Sequence, residues 1–138
     1  MAVRNILIDT NGYTAFKRGH GEAIRIINHA PIIGMNAVVL GELWGGFAAG
    51  TREEQNKKDL SNFLNASGVT IIQIDAATAR HYADVYEKLK RLGKPIPTND
   101  MWIAATALQH DLALFSYDKH FQNIPALLVS DRLEEFIY

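Results

Sequence analysis

Short runs of branched apolar residues recur along this chain, and a longer stretch with helical spacing follows nearly every one. No other feature restricts the fold as much. Val3 to Ile8, the IIGM run (residues 32–35), Val69 to Ile74, LALFS (112–116) and ALLVS (126–130) read as strands. Helical patterning between them argues for an α/β fold around a mostly parallel sheet with helices on both faces. The expectation is a three-layer α/β/α arrangement, with residues 1–138 forming one domain.

Local signals set the expected boundaries. Thr10 or Asn11 caps a helix running through Lys17 and Arg18, which Gly19 ends. Pro31 breaks the next helical stretch, GEAIRIINHA. Asn36 to Ala49 reads as helix, and TREEQNKKDLSNFLNASG as a charged surface helix with Leu60, Phe63 and Leu64 inward. Asp75 opens a long helix that Gly93 and Pro95 stop, and KPIPTND is a loop. Thr98 or Asn99 caps the helix MWIAATALQH, DKHFQNIP is a turn with a short helix, and a polar tail ends in EEFIY.

A chain of 138 residues that is 48% hydrophobic has enough material for one sizeable core. Its net charge of −1 provides no whole-chain footprint for nucleic acid, so any basic surface is local. The absence of cysteine excludes disulfides and thiolate zinc sites. No signal-peptide core is visible, and no apolar stretch approaches the roughly 18 residues of a membrane span. The reading is a soluble cytoplasmic protein with no membrane partner.

Parallel strands deliver their carboxyl ends to one edge, where open α/β sheets bind ligands. Asp9 follows the first apolar run directly, and Asp118 comes soon after LALFS. Glu42 lies in VVLGELWGG inside the third helix, and Asp100 in PTNDMWIAA in the first turn of the last. Each has a plain structural explanation. An acid at a helix start commonly caps it, Asp118 suits a turn, and Glu42 can pair with Lys or Arg. Asp9 is the hardest to explain that way, because it follows a buried strand. Four carboxylates brought together repel one another, raise their pKa values and destabilise the fold without a counter-ion. Besides Lys or Arg, a hard divalent cation such as Mg2+ or Mn2+ fits, since it prefers oxygen ligands and keeps several waters. Such an ion acidifies water and neutralises charge on a phosphate, which is chemistry for cutting a phosphodiester.

At these residues the chain resembles a known family. NILIDTNGY, GEL followed by Trp44-Gly45-Gly46, NDMWIAATAL and the SYDKHF turn are similar, over nearly the whole chain, to the four acidic motifs of PIN-domain ribonucleases, in particular VapC toxins of bacterial toxin–antitoxin pairs. The resemblance implies a Mg2+- or Mn2+-dependent endoribonuclease. Asp9, Glu42 and Asp100 match the acids of the first three motifs, and Asp118 the more variable fourth. Asp9 and Asp100 are then direct metal ligands, and Glu42 and Asp118 complete the pocket. Asn11 and Ser116 fall at supporting polar positions. Also implied are an RNA substrate, a homodimer, and a small cognate antitoxin whose carboxyl-terminal segment covers the groove. Lys17 and Arg18, just past the first motif, are candidates to hold the RNA backbone. The chain departs from many relatives in not being basic overall.

The cluster Lys88, Lys90, Arg91 and Lys94 ends the long helix beside the loop before Asp100. It reads equally as a helix-end charge pattern or as a patch for RNA phosphates. The five histidines lack H-x-x-x-H spacing, which excludes a zinc protease; His120, near Asp118, is a candidate phosphate contact. GGFAAG lacks the Gly-Lys-Ser/Thr of a phosphate loop, and Trp44 beside it is expected in the core. The rival to a nuclease is a non-cleaving RNA- or protein-binding module. A receiver-like protein using Lys119 leaves Glu42 and Asp100 unexplained.

Overall fold

A computed structural model describes residues 2–138. Five strands form one sheet: β1 (Ile6–Ile8), β2 (Ile33–Asn36), β3 (Val69–Ile72), β4 (Ala113–Phe115) and β5 (Val129–Ser130). They run in the order β3-β2-β1-β4-β5, and every pair is parallel. Six α-helices connect them: α1 (Thr10–Lys17), α2 (Gly21–His29), α3 (Ala37–Ala49), α4 (Glu53–Leu64), α5 (Ala76–Leu92) and α6 (Thr98–Gln109). Ile6, Leu7 and Ile8 are all fully buried. Successive strand residues point to opposite faces, so both faces of β1 are covered, as a three-layer α/β/α fold requires.

The strand order carries the functional geometry. From β1 the chain steps outward to β2 and β3, then crosses back to place β4 on the other side of β1. The crossovers diverge at that reversal and leave a crevice at the carboxyl ends of β1 and β4. Asp9 follows β1 there, and Ser116 follows β4. Gly12 lets α1 lean close against β4, because a Cβ at this position would sit 3.1 Å from the Phe115 carbonyl oxygen.

Most elements form where the pattern places them, and their caps explain why. Asn36 caps α3 by accepting from the Val39 N–H at 3.0 Å, and its amide reaches Thr106 on α6. Asp75 and Thr78 form a capping box at the start of α5, and Gly93 in the left-handed region ends it. Several expectations need correction. The expected strand Val3 to Ile8 is shortened to Ile6–Ile8, because Val3 pairs instead with Ile137 in an isolated antiparallel bridge. The Val69–Ile74 and ALLVS runs shrink to four and two residues, since both lie at sheet edges. Asp9, not Thr10 or Asn11, is the cap residue of α1, and Pro97, not Thr98 or Asn99, stands at that position before α6. The tail is not simply polar. Leu133 and Phe136 are buried, and the Leu133 N–H donates to Glu22 at 2.8 Å. Trp44 is 47% exposed: Val39, Leu40 and Leu43 form the inward stripe of α3, and Trp44 lies beyond it. No described helix is long and apolar enough to cross a membrane.

The close approach at Gly12 is testable. Gly12→Ala should destabilise the protein by about 1–3 kcal/mol through overpacking against Phe115 and Ile8. In urea unfolding the midpoint should fall with the slope unchanged.

Candidate active site

Asp9 ends β1 and starts α1, so its carboxylate sits at the sheet edge although the residue is only 4% exposed. Two donors hold it. The Ser116 hydroxyl donates to Oδ2 at 2.7 Å, and the Thr10 N–H to Oδ1 at 2.6 Å. Burial outweighs both and pushes the carboxyl up from its ordinary 3.8 to about 6, with Asp100 and Glu42 adding repulsion. Ser116 also accepts from the Asp118 N–H at 3.0 Å, and Asn11 Oδ1 accepts from the Tyr117 N–H at 3.0 Å. The loop after β4 is thereby laced to the start of α1.

The other acids arrive from separate elements. Glu42 projects from α3, where the Thr10 hydroxyl donates to Oε1 at 2.6 Å and the Asn99 amide lies at 3.4 Å from Oε2. Asp100 is buried in the first turn of α6, and that burial raises its pKa. Asp118 precedes the 3-10 turn Lys119–Asn123 and accepts the His120 N–H at 2.9 Å. All four carboxylates line one open cleft of about 630 Å³. Ser116, just after β4, and Asn11, on α1, contact the cleft's acid Asp9 and the Tyr117 amide respectively.

His120 is the feature the sequence reading underweighted. Its Nδ1 lies 2.7 Å from Asp100 and 3.2 Å from Asp118. Hydrogen bonding to Asp100 raises the imidazole pKa, and the charges of Asp118 and Asp100 add to it. Proximity in sequence linked His120 to Asp118; nothing local linked it to Asp100, twenty residues away. Thr10 and Asn99, which orient Glu42, had the same weakness as signals.

The cationic candidates divide. Arg18 lines the acidic cleft, and Lys17 lines a neighbouring one. Lys94 is exposed just past α5 and lines neither cleft. In its cluster, Lys88 pairs with Asp84 at 2.9 Å and Arg91 pairs with Glu87, so two of the four cations are matched by an acid one turn earlier.

A hard divalent cation fits this donor set. Four carboxylates line the cleft, and within it the Asp100 and Asp118 carboxylates and the His120 imidazole bring one potential ligand atom each within 4.8 Å of the others. Among the described residues no Lys or Arg pairs with any of the four acids. The raised Asp9 carboxyl shows that the protein scaffold alone does not neutralise the site.

Residues 6–127 match the family model described as PIN domain. Over 125 residues the chain is 30% identical to Ribonuclease VapC4 of Mycobacterium tuberculosis, spanning 91% of this chain and 95% of that protein. Two solved structures are similar in fold. VapBC2 from Rickettsia felis, bound to a DNA fragment from their promoter, has a TM-score of 0.78 and 25% identity, with 91% of this chain and 96% of that one covered. VapBC-1 from nontypeable Haemophilus influenzae has a TM-score of 0.77 and 26% identity, with the same shares covered.

Two outcomes test the electrostatics. Because the folded Asp9 carboxyl binds its proton more tightly than the unfolded one, stability falls as pH rises from its ordinary 3.8 to about 6. The cost is present in full above that window. Asp9→Asn should therefore stabilise the metal-free protein by roughly 1–3 kcal/mol at pH 8. In urea titrations with EDTA, that gain should disappear as the pH is lowered below the window. Separately, His120→Ala leaves Asp100 and Asp118 facing each other without their cationic partner. Thermal melts should show a lower metal-free Tm than in the parent.

Proposed function

The chain belongs to the PIN-domain family, in its VapC group, and we propose that it is a metal-dependent endoribonuclease, the toxin of a type II toxin–antitoxin pair. The observation that carries this reading is the convergence of Asp9, Glu42, Asp100 and Asp118 on one cleft at the sheet's switch point. The reaction is hydrolysis of an RNA phosphodiester. Mg2+ or Mn2+ is the ion the oxygen donors suit; when bound, it supplies Lewis acidity toward the phosphate and lowers the pKa of water.

The residues' own tasks follow from their contacts. Asp9 and Asp100 would hold the ion directly, and protein contacts already fix both carboxylates. Ser116 and Thr10 fix Asp9, and His120 fixes Asp100. Pre-set ligands avoid reorganisation during the reaction. Glu42, oriented by Thr10, and Asp118, ordered by the turn it opens, complete the negative pocket. Asn11 and Ser116 keep the β4 loop against α1, so Asp9 and Asp118 share one cleft. Arg18 and Lys17 offer positive charge at its margin, and Lys94 lies farther out as a weaker contact for RNA.

The relatives solved as VapBC pairs support a small antitoxin as the protein partner. A homodimer is supported by the exposed Trp44 on an apolar, glycine-rich α3. One nuclease domain spans residues 1–138, and a cytoplasmic location suits an RNA substrate and a cysteine-free chain.

Incubation of purified protein with RNA, in Mg2+ or Mn2+ and in EDTA, tests the activity. Cleavage should require the ion and should fall by more than about a hundredfold in Asp9→Asn. Cleavage that survives both chelator and substitution rules out the acidic site. RNA binding without any cleavage favours the non-cleaving module.

A further inference from the structure

Few side chains in the acidic cleft are free to meet a nucleobase. Thr10 donates its hydroxyl to Glu42, and Thr14 donates to the Thr10 carbonyl at 2.9 Å. Asn11 Oδ1 accepts from the Tyr117 N–H. The four carboxylates suit a cation. What the lining offers besides is its only aromatic surface, the rings of His20 and Tyr117. A third ring close by, His120, has Nδ1 engaged by Asp100.

The two rings arrive from remote segments. His20 stands at the start of α2, where Gly19 has turned the chain through the left-handed region. Tyr117 follows β4 and immediately precedes Asp118. The Tyr117 hydroxyl lies 3.3 Å from His20 Nδ1, and the rings meet edge to face with centroids 5.8 Å apart. Phe115 packs against Tyr117 with centroids 5.6 Å apart. Its N–H tied to Asn11 and its ring packed in this way, Tyr117 loses little freedom when a ligand arrives. Burial raises the pKa of its phenol, so it keeps its proton. If that proton points at His20 Nδ1, the neutral imidazole carries its own on Nε2. If Nδ1–H donates instead, the phenol O–H stays free. Either way the pair retains one donor for an acceptor on a base edge.

A strand whose phosphodiester reaches the four acids carries a base on each side of that bond. On the reading that the acidic cleft cuts RNA, we propose that His20 and Tyr117 form a base-recognition site that determines specificity. One base adjoining the cleaved bond stacks on this ring pair and accepts from its free donor. A purine has the larger face and is favoured over a pyrimidine at that position.

Steady-state cleavage of short single-stranded RNAs in Mn2+ tests this, each RNA carrying an abasic ribose at one position beside the cleaved bond. In the parent, one position should be base-sensitive. Removing its base should raise KM about tenfold with kcat unchanged, because stacking is equal in the ground and transition states. Exchanging a purine for a pyrimidine there should raise KM less. His20→Ala and Tyr117→Leu should each raise KM for the complete RNA about tenfold and abolish the sensitivity to the missing base. Tyr117→Phe, which keeps the ring, should retain most of that sensitivity. Melts should show the variants folded; if Tyr117→Leu is not, His20→Ala, at an exposed position, decides alone. Abasic penalties equal in parent and variants overturn the base site and leave the nuclease reading intact. Variants that cleave every RNA as the parent does but lose a co-expressed antitoxin assign the rings to protein and overturn the proposal. A parent that cleaves no RNA overturns the base site together with the nuclease reading.

Discussion

Burial of carboxylates at the end of the sheet's buried central strands, with their mutual repulsion added to it, is the constraint around which this molecule is organised. Asp9 has almost no access to water, and Asp100 little more. A carboxylate in that setting resists ionisation unless donors or a cation stabilise it. The scaffold supplies part of the answer through Ser116, the Thr10 N–H and His120. It stops short of neutralising the site, as the raised Asp9 carboxyl records. The fold stores an electrostatic cost at the place where chemistry needs affinity for a cation, and the remainder of the core must offset it. Fully buried Leu7, Phe115 and Ile103 belong to that core.

The second organising feature is the stitching of distant segments by short polar contacts. Ser116 donates to Asp9 and accepts from the Asp118 amide, and Asn11 accepts from the Tyr117 amide. These contacts join the carboxyl ends of β1 and β4, the two strands between which the topology opens its crevice. Charge is then separated across adjoining surfaces. Acids gather in one cleft with Lys17 in the next, while on the long helix α5 Lys88 and Arg91 are paired with acids one turn earlier.

The alternation of strands and helices, the parallel sheet, and the positions of Asp9 and Asp118 could be read without coordinates. Each depends on spacing along the chain or on a strand's end. Asp9 stood out because a charge directly after a buried strand has few bland explanations. What was misread depended on neighbours. Trp44 was expected inside, yet the inward stripe of α3 is set by which side meets the sheet. The run from Val3 lost its strand character to a bridge with Ile137, more than a hundred residues away. His120 was visible as a neighbour of Asp118 but not as the partner of Asp100.

By itself the sequence determined the period of each element, the caps at Asn36 and Asp75, the end of α5 at Gly93, and the supply of acids with no cysteine among them. Those properties are local, set by backbone preferences and by side chains a few residues apart. Only the tertiary structure decided that four acids from four elements share one cleft and that an imidazole lies between two of them. Distance governs both electrostatic energy and desolvation, and the separation between residues remote in the chain exists only once the sheet has set its strand order.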